Sequence, residues 1–330
     1  MSSLYEIPVS STRMTVPFTL FSDIIEIMLE KNEKFCYFDA HFHLADCVND
    51  GLLSLSDLTR QSLFDDDSAW GGCACCHSVE EWEVTGKLVA ALREPQGPHS
   101  AQGPHLGQGP HSGQGPQLGQ GSQVFLSYGL HPQSAGWIDI KQCADFLENL
   151  LQNNKLNAIG EAGFDYFNEE FRQHADLQEE MFNIQLQLAL QYNMPMVIHA
   201  RKANHKLFEY SRQFKKLPAV LFHSFMGPAR EAQSLIDHGI NAYFSFGKQI
   251  MNNNKKVLDC VQTLPLENLL LETDAPFQYL KGEKFTALQD ISKIYDAFVE
   301  LRKEAREEVL LKVAENFRKM YGDIKSQNLL

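Results

Sequence analysis

From Phe35 onward, short apolar runs rich in β-branched and aromatic residues alternate with longer stretches in which apolar positions recur every three or four residues. The first pattern suits buried strands and the second suits helices that hide one face against them, so the alternation predicts successive βαβ units. Strands are expected near residues 35–40, 70–76, 123–129, 156–160, 195–199, 218–222, 240–246 and 267–272. Helices are clearest over 169–193, where EEMFNIQLQLALQY keeps helical spacing, and over 227–238 and 286–303, with a last helix over 305–321 placed to pack across the end of a barrel. Eight strands separated by helices predict an α/β fold, a TIM (β/α)8 barrel over residues 35–321, followed by a short tail at 322–330.

Two regions fall outside this alternation. Residues 1–34 form an N-terminal extension in which FTLFSDIIEIMLEK reads as an amphipathic helix suited to packing. Residues 96–122 are a low-complexity loop insertion, a six-residue repeat in which Gln96, Gln102, Gln108, Gln114 and Gln120 each begin a Gln-Gly unit, mostly continuing as Gly-Pro-His. Such a tract cannot bury enough apolar area to offset the entropy of ordering it. Its His99, His105 and His111 could catch transition metals, but repetition in a tolerant loop explains them more simply. Shortening the repeat to a few residues should leave thermal melting and turnover close to those of the parent; a large loss in either would show that the loop docks on the barrel.

Composition narrows the function classes. The 330-residue chain is 44% hydrophobic and 22% charged, ordinary for a globular protein, and its formal charge of −13 argues against gripping long nucleic acid through bulk basic surface. No run approaches the length of a membrane span, and Arg13 amid polar residues leaves no secretory pattern, so a cytoplasmic location is expected. Seven cysteines, an odd number, then read as reduced thiols rather than a disulfide framework. Cys73 and Cys76 have Cys-x-x-Cys spacing, but no second pair follows at zinc-finger spacing.

Against this background, six acid and imidazole side chains each follow a short apolar run. They are His41 and His43 in FCYFDAHFHL, Glu161 in NAIGEAGFDY, His199 in MPMVIHAR, His223 in AVLFHSF and Asp274 in NLLLETDAP. In a (β/α)8 barrel, residues at the ends of different strands gather at one face, so these six could meet around a binuclear metal centre. Strand alternation places both imidazoles of Asp39-x-His41-x-His43 on one side of the chain. Glu161 offers two oxygens that could span two cations, while Asp274 could ligate one and face an attacking water. Taken singly, each acid could equally be a helix cap and each histidine a core residue.

The motifs FDAHFH, YGLHP, AIGEAGFDY, PMVIHAR, LFHSF, LLLETDAP and AENFRKMYG appear in order, and with them the chain resembles the TatD family of metal-dependent hydrolases over about residues 35–321. The resemblance implies a TIM-like barrel, two divalent cations (Mg2+, Mn2+ or Zn2+) and hydrolysis of phosphodiester bonds in DNA, exonucleolytic from the 3′ end. It implies His41, His43, Glu161 and Asp274 on one metal, Glu161, His199 and His223 on the other, and His131 contacting phosphate. Asp274, Glu161 and His131 are then the catalytic candidates. Arg201, two positions after His199, could pair with a phosphate, and His77 at the end of strand two could touch substrate. Glu272 could orient a ligand or relay a proton, and Asn316 reads as barrel-closing. Two rival readings stay open: an amidohydrolase-type enzyme acting on a small cyclic amide or ester, and a non-catalytic metal-bound interaction protein. No membrane and no obligate protein partner are implied.

Overall fold

The computed structural model describes residues 36–53, 69–93 and 123–322, so the expected extension, the repeat and the tail beyond 322 lie outside the described residues. Eight strands form one parallel sheet in sequence order: β1 (Cys36–Phe42), β2 (Ala69–Cys76), β3 (Gln123–Tyr128), β4 (Ala158–Asp165), β5 (Met196–Arg201), β6 (Val220–Phe222), β7 (Ala242–Phe246) and β8 (Leu269–Leu271). Past the end of β8, Asp274 N donates to His41 O (2.9 Å) and His43 N donates to Ala275 O (2.8 Å), which ties the last strand back to the first. The predicted (β/α)8 barrel is the observed fold.

Helices cover the sheet as the periodicity requires. Ala175–Tyr192 turns Met181, Phe182, Gln185, Leu186 and Ala189 inward, and the Phe182 ring lies 4.8 Å from that of Phe164 on β4. The predicted helix over 169–193 is two helices, because the chain breaks at Gln173 and His174 after a one-turn segment Glu169–Arg172 capped by Asn168. The segment expected at 286–303 likewise resolves into a 3-10 turn, Leu288–Asp290, and the helix Ile291–Leu301.

The last helix, Arg306–Tyr321, packs against β1 and the entry to β8. Buried Asn316 donates to Leu266 O and Leu269 O, both at 2.8 Å, and Tyr321 Oη donates to Ala40 O at 2.7 Å. Asn316 therefore pins the last helix to the entry of β8. Among the described residues no helix is long and apolar enough to cross a membrane, and Cys47, Cys73, Cys75, Cys76, Cys143 and Cys260 are free thiols.

Candidate metal centre

Four of the six expected ligands, His41, His43, His223 and Asp274, lie at or just past the C-terminal ends of their strands, Glu161 and His199 stand within β4 and β5, and the barrel brings all six together around the buried carboxylate of Glu161. Its two oxygens face different partners. Oε2 lies 3.2 Å from His41 Nε2, 3.5 Å from His77 Nε2 and 3.9 Å from His43 Nε2. Oε1 lies 2.5 Å from His199 Nδ1, 2.6 Å from His223 Nε2 and 3.2 Å from His131 Nε2. Asp274 Oδ1 joins the first set, 3.2 Å from His43 Nε2 and 3.6 Å from His41 Nε2.

These spacings suit cations. His41 Nε2 and His43 Nε2 are 3.2 Å apart, and His199 Nδ1 and His223 Nε2 are 3.3 Å apart, so in each pair two ring nitrogens point at one volume. Ligands about 2.1 Å from a metal are separated by roughly 3.0–3.4 Å in octahedral or tetrahedral arrangements, which is the range of these edges. Neutral imidazoles with carboxylate oxygens suit a divalent ion of intermediate softness.

The electrostatics agree with a site built for positive charge. Burial disfavours an ionised Glu161, but His223, His131 and His199 around it hold its carboxyl well below the ordinary range. Burial likewise opposes ionisation of Asp274, and the hydrogen bond to His43 with the charges of His223 and His41 overcomes it. Burial pushes His131 down to about 3 despite the pull of Glu161, so this imidazole is neutral. At His77 burial is outweighed by Cys75 and Glu161, which raise it to about 10.

A layer of polar side chains orients the cluster. Asp39 accepts from Thr273 N (2.9 Å), Thr273 Oγ1 (2.6 Å) and His41 N (3.2 Å), so it clamps the end of β1 to the end of β8 rather than joining the ligands. Asp165 Oδ2 lies 3.1 Å from His199 Nε2 and accepts from Gln133 Nε2 at 2.7 Å. Gln185 caps Leu130 N at 2.8 Å beside His131, and Gln178 accepts from Asp165 N at 2.8 Å, so the inward face of one helix fixes two of the mouth loops. Gln278 Nε2 donates to Asp274 Oδ2 at 2.8 Å. Such outer partners fix ligand orientation and are part of any metal site.

Backbone geometry marks the same place. Of seven non-glycine residues with positive φ among the described residues, three are asparagines, which tolerate that region; the others are Lys202, Ser224, Asp274 and Gln278, all in loops that follow β5, β6 and β8. Left-handed backbone held at such residues collects at functional sites. Gly163, two residues after Glu161, has φ +149° and sits against β5, where a Cβ would come within 2.0 Å of His199 O. Gly163→Ala should therefore destabilise the protein by about 3 kcal/mol or more, combining Gly-only backbone with an overlap that only a shift of β4 can relieve. A melting temperature unchanged within a degree would refute this account of the strand contact.

The remaining sequence-predicted residues separate into two groups. His131 and His77 lie in the cluster itself, each beside one oxygen of Glu161. Glu272 faces His223 Nδ1 at 3.8 Å while accepting from Ser224 N and Ser245 Oγ, which fits an orienting role. Arg201 does not enter the cluster: its guanidinium carbon lies 3.6 Å from the centroid of the Phe167 ring, at the exposed rim. Cys73 and Cys76 belong to no cluster of candidate ligands among the described residues; Cys75 Sγ does, 3.4 Å from His77 Nε2. Asp165, Gln278 and Cys75 are the site residues that sequence reasoning passes over.

Comparisons with known proteins place this arrangement. An uncharacterized metal-dependent hydrolase of Mycoplasma pneumoniae is 31% identical over 155 residues, covering 45% of this chain and 59% of its own. The 3'-5' ssDNA/RNA exonuclease TatD of Pantoea ananatis is 33% identical over 151 residues, covering 45% of this chain and 56% of its own. The alignments thus span somewhat under three fifths to about three fifths of these relatives' length. Among solved structures, YjjV, a TatD homologue from Escherichia coli, superposes with a TM-score of 0.67 at 21% identity, covering 87% of this chain and 98% of that one. A TatD family hydrolase from Entamoeba histolytica gives 0.68 at 16% identity, over 88% and 99%. The family model described as TatD related DNase matches residues 110–322. The match begins at residue 110, inside the repeat and after β1 and β2, while the sheet brings His41, His43 and His77 from those two strands to the same centre. With that match covering more than half of the chain, the protein belongs to the TatD-related DNase family of metal-dependent hydrolases.

Proposed function

We propose that this chain hydrolyses phosphodiester bonds at DNA ends, removing nucleotides from the 3′ side, with two divalent cations bridged by Glu161. The observation that carries this reading is the division of one buried carboxylate between two sets of imidazoles. His41, His43, Glu161 and Asp274 would hold one cation, and Glu161, His199 and His223 the other. Bound there, Mg2+, Mn2+ or Zn2+ would lower the pKa of a water and neutralise phosphate charge. Four imidazoles favour Mn2+ or Zn2+ by ligand softness.

The chain's own groups supply the rest. Asp274 stands at the edge of the cluster with Oδ2 tied to Gln278 and Oδ1 directed inward, placed to orient a water and accept its proton. His131, kept neutral by burial, offers a ring nitrogen beside Glu161 Oε1 for a phosphate oxygen. Arg201 and His77 are further candidates for substrate contact, from the rim and from the cluster respectively.

Metal-replete protein incubated with 5′-labelled single-stranded DNA, RNA and a generic phosphodiester tests this reading. A ladder shortening from the 3′ end, abolished by chelator and restored by Mn2+ or Mg2+, is the expected result. Intact nucleic acid alongside turnover of a cyclic amide or ester would replace it with the amidohydrolase reading.

A further inference from the structure

Seven large hydrophobic side chains are conspicuously exposed among the described residues, and every one lies in a loop that follows a strand, at the metal-bearing end of the barrel. A barrel has as many loops at its other end, and scattered exposure would populate both. The rim is therefore apolar where substrate must enter, as expected of a binding surface.

Two of these positions stand beside the chemistry. Phe277, 48% exposed, follows β8 and sets its ring edge-on to His43 at a centroid distance of 5.0 Å. Phe167, 43% exposed, follows β4 and lies under the Arg201 guanidinium at 3.6 Å and the Lys202 ammonium at 4.5 Å. Strand order puts β4 and β8 four places apart in an eight-strand barrel, so the loops that carry the two aromatic positions stand on opposite sides of the mouth. Arg201 has no carboxylate within ion-pair distance among the described residues, unlike Lys206, Lys248 and Arg302. An unpaired, aromatic-supported guanidinium at the mouth of an acidic protein awaits an anion or a π-face.

We infer that Phe277 is a stacking platform for an unpaired terminal base, and that the Arg201–Phe167 pair receives the next nucleotide on the opposite side of the scissile phosphate. The inference rests on the phosphodiesterase reading for its substrate and adds the residues that select base-bearing, unstacked ends. Aromatic faces suit this because every base offers a π-face, whereas a base held in a duplex stack has none free. Phe277 supplies base affinity independent of sequence, and Arg201 supplies a planar cation.

The test is a single-stranded oligodeoxynucleotide with phosphorothioate linkages and 2-aminopurine at its 3′ end, titrated with the Mn2+-loaded full chain. Fluorescence quenching on binding is expected for the parent and for Phe277→Tyr, with affinity about tenfold weaker and quenching lost for Phe277→Ala. An oligonucleotide that is abasic at the two terminal positions should bind the parent and Phe277→Ala alike. Unchanged quenching in Phe277→Ala, or equal weakening on the abasic strand, would overturn the assignment. Because quenching needs no turnover, a parent that quenches normally but cleaves no phosphodiester would contradict the proposed reaction and leave the platform standing.

Discussion

Glu161→Gln should cost phosphodiester hydrolysis about 10³-fold or more and should remove the response of the protein's melting temperature to Mn2+. The carboxylate is buried, and its oxygens stand against His41 on one side and His199 and His223 on the other, so one neutral amide in its place weakens both halves of the centre. Each cation is worth several kcal/mol of charge stabilisation to the reaction, and about 1.4 kcal/mol is a factor of ten in rate. The thermal readout is independent of turnover: with free Mn2+ about 100-fold above its dissociation constant the parent gains about 2.7 kcal/mol, and the variant should gain little. A Glu161→Gln protein that kept both the Mn2+ shift and near-parental turnover would remove this carboxylate from the centre.

Asp274→Asn should lower the rate by about 10² or more while leaving the melt nearly unchanged. The amide preserves the shape and an oxygen for the Gln278 hydrogen bond, but loses the charge that faces His43 and the basicity needed to take a proton from water. Asp274 also keeps φ +53° at a non-glycine position, a geometry that the backbone bonds to β1 enforce. Rates for parent and variant at saturating metal, with melting curves alongside, decide the matter. Near-parental turnover would move the base elsewhere; Glu272 is a poor substitute because both its oxygens already accept hydrogen bonds from Ser224 and Ser245.

Much of this site is legible in the amino-acid sequence, for a physical reason. His41, Glu161, His199 and His223 each stand at or directly after an apolar run, and a buried parallel strand is read from such a run alone. Once eight runs are counted, the barrel's geometry gathers their ends without further information. Roles set by contacts between distant segments are not legible in this way. Asp39 has the place of a first member in a ligand motif, yet its partner Thr273 lies 234 residues away, and only closure of the barrel brings them together. The spacing of Arg201 from His199 suggests a guanidinium facing the same side, but nothing local shows that the loop after β4 sets the Phe167 ring beside it. Asp165 sits in the GEAGFDY motif without an evident role because nothing local shows that it faces His199 Nε2. Strand limits slip at β6 and β8, each reduced to three residues, where a 3-10 turn at Leu266–Asn268 takes up the apolar positions before β8.

Two cations sharing one carboxylate is the arrangement on which the proposed reaction depends, and anomalous diffraction from crystals of the protein soaked in Mn2+ examines it directly. Two peaks are predicted, one between Glu161 Oε2, His41, His43 and Asp274, the other between Glu161 Oε1, His199 and His223. A single peak at saturating Mn2+, or peaks confined to Cys75 and His77 or to the histidines of the repeat, would contradict it.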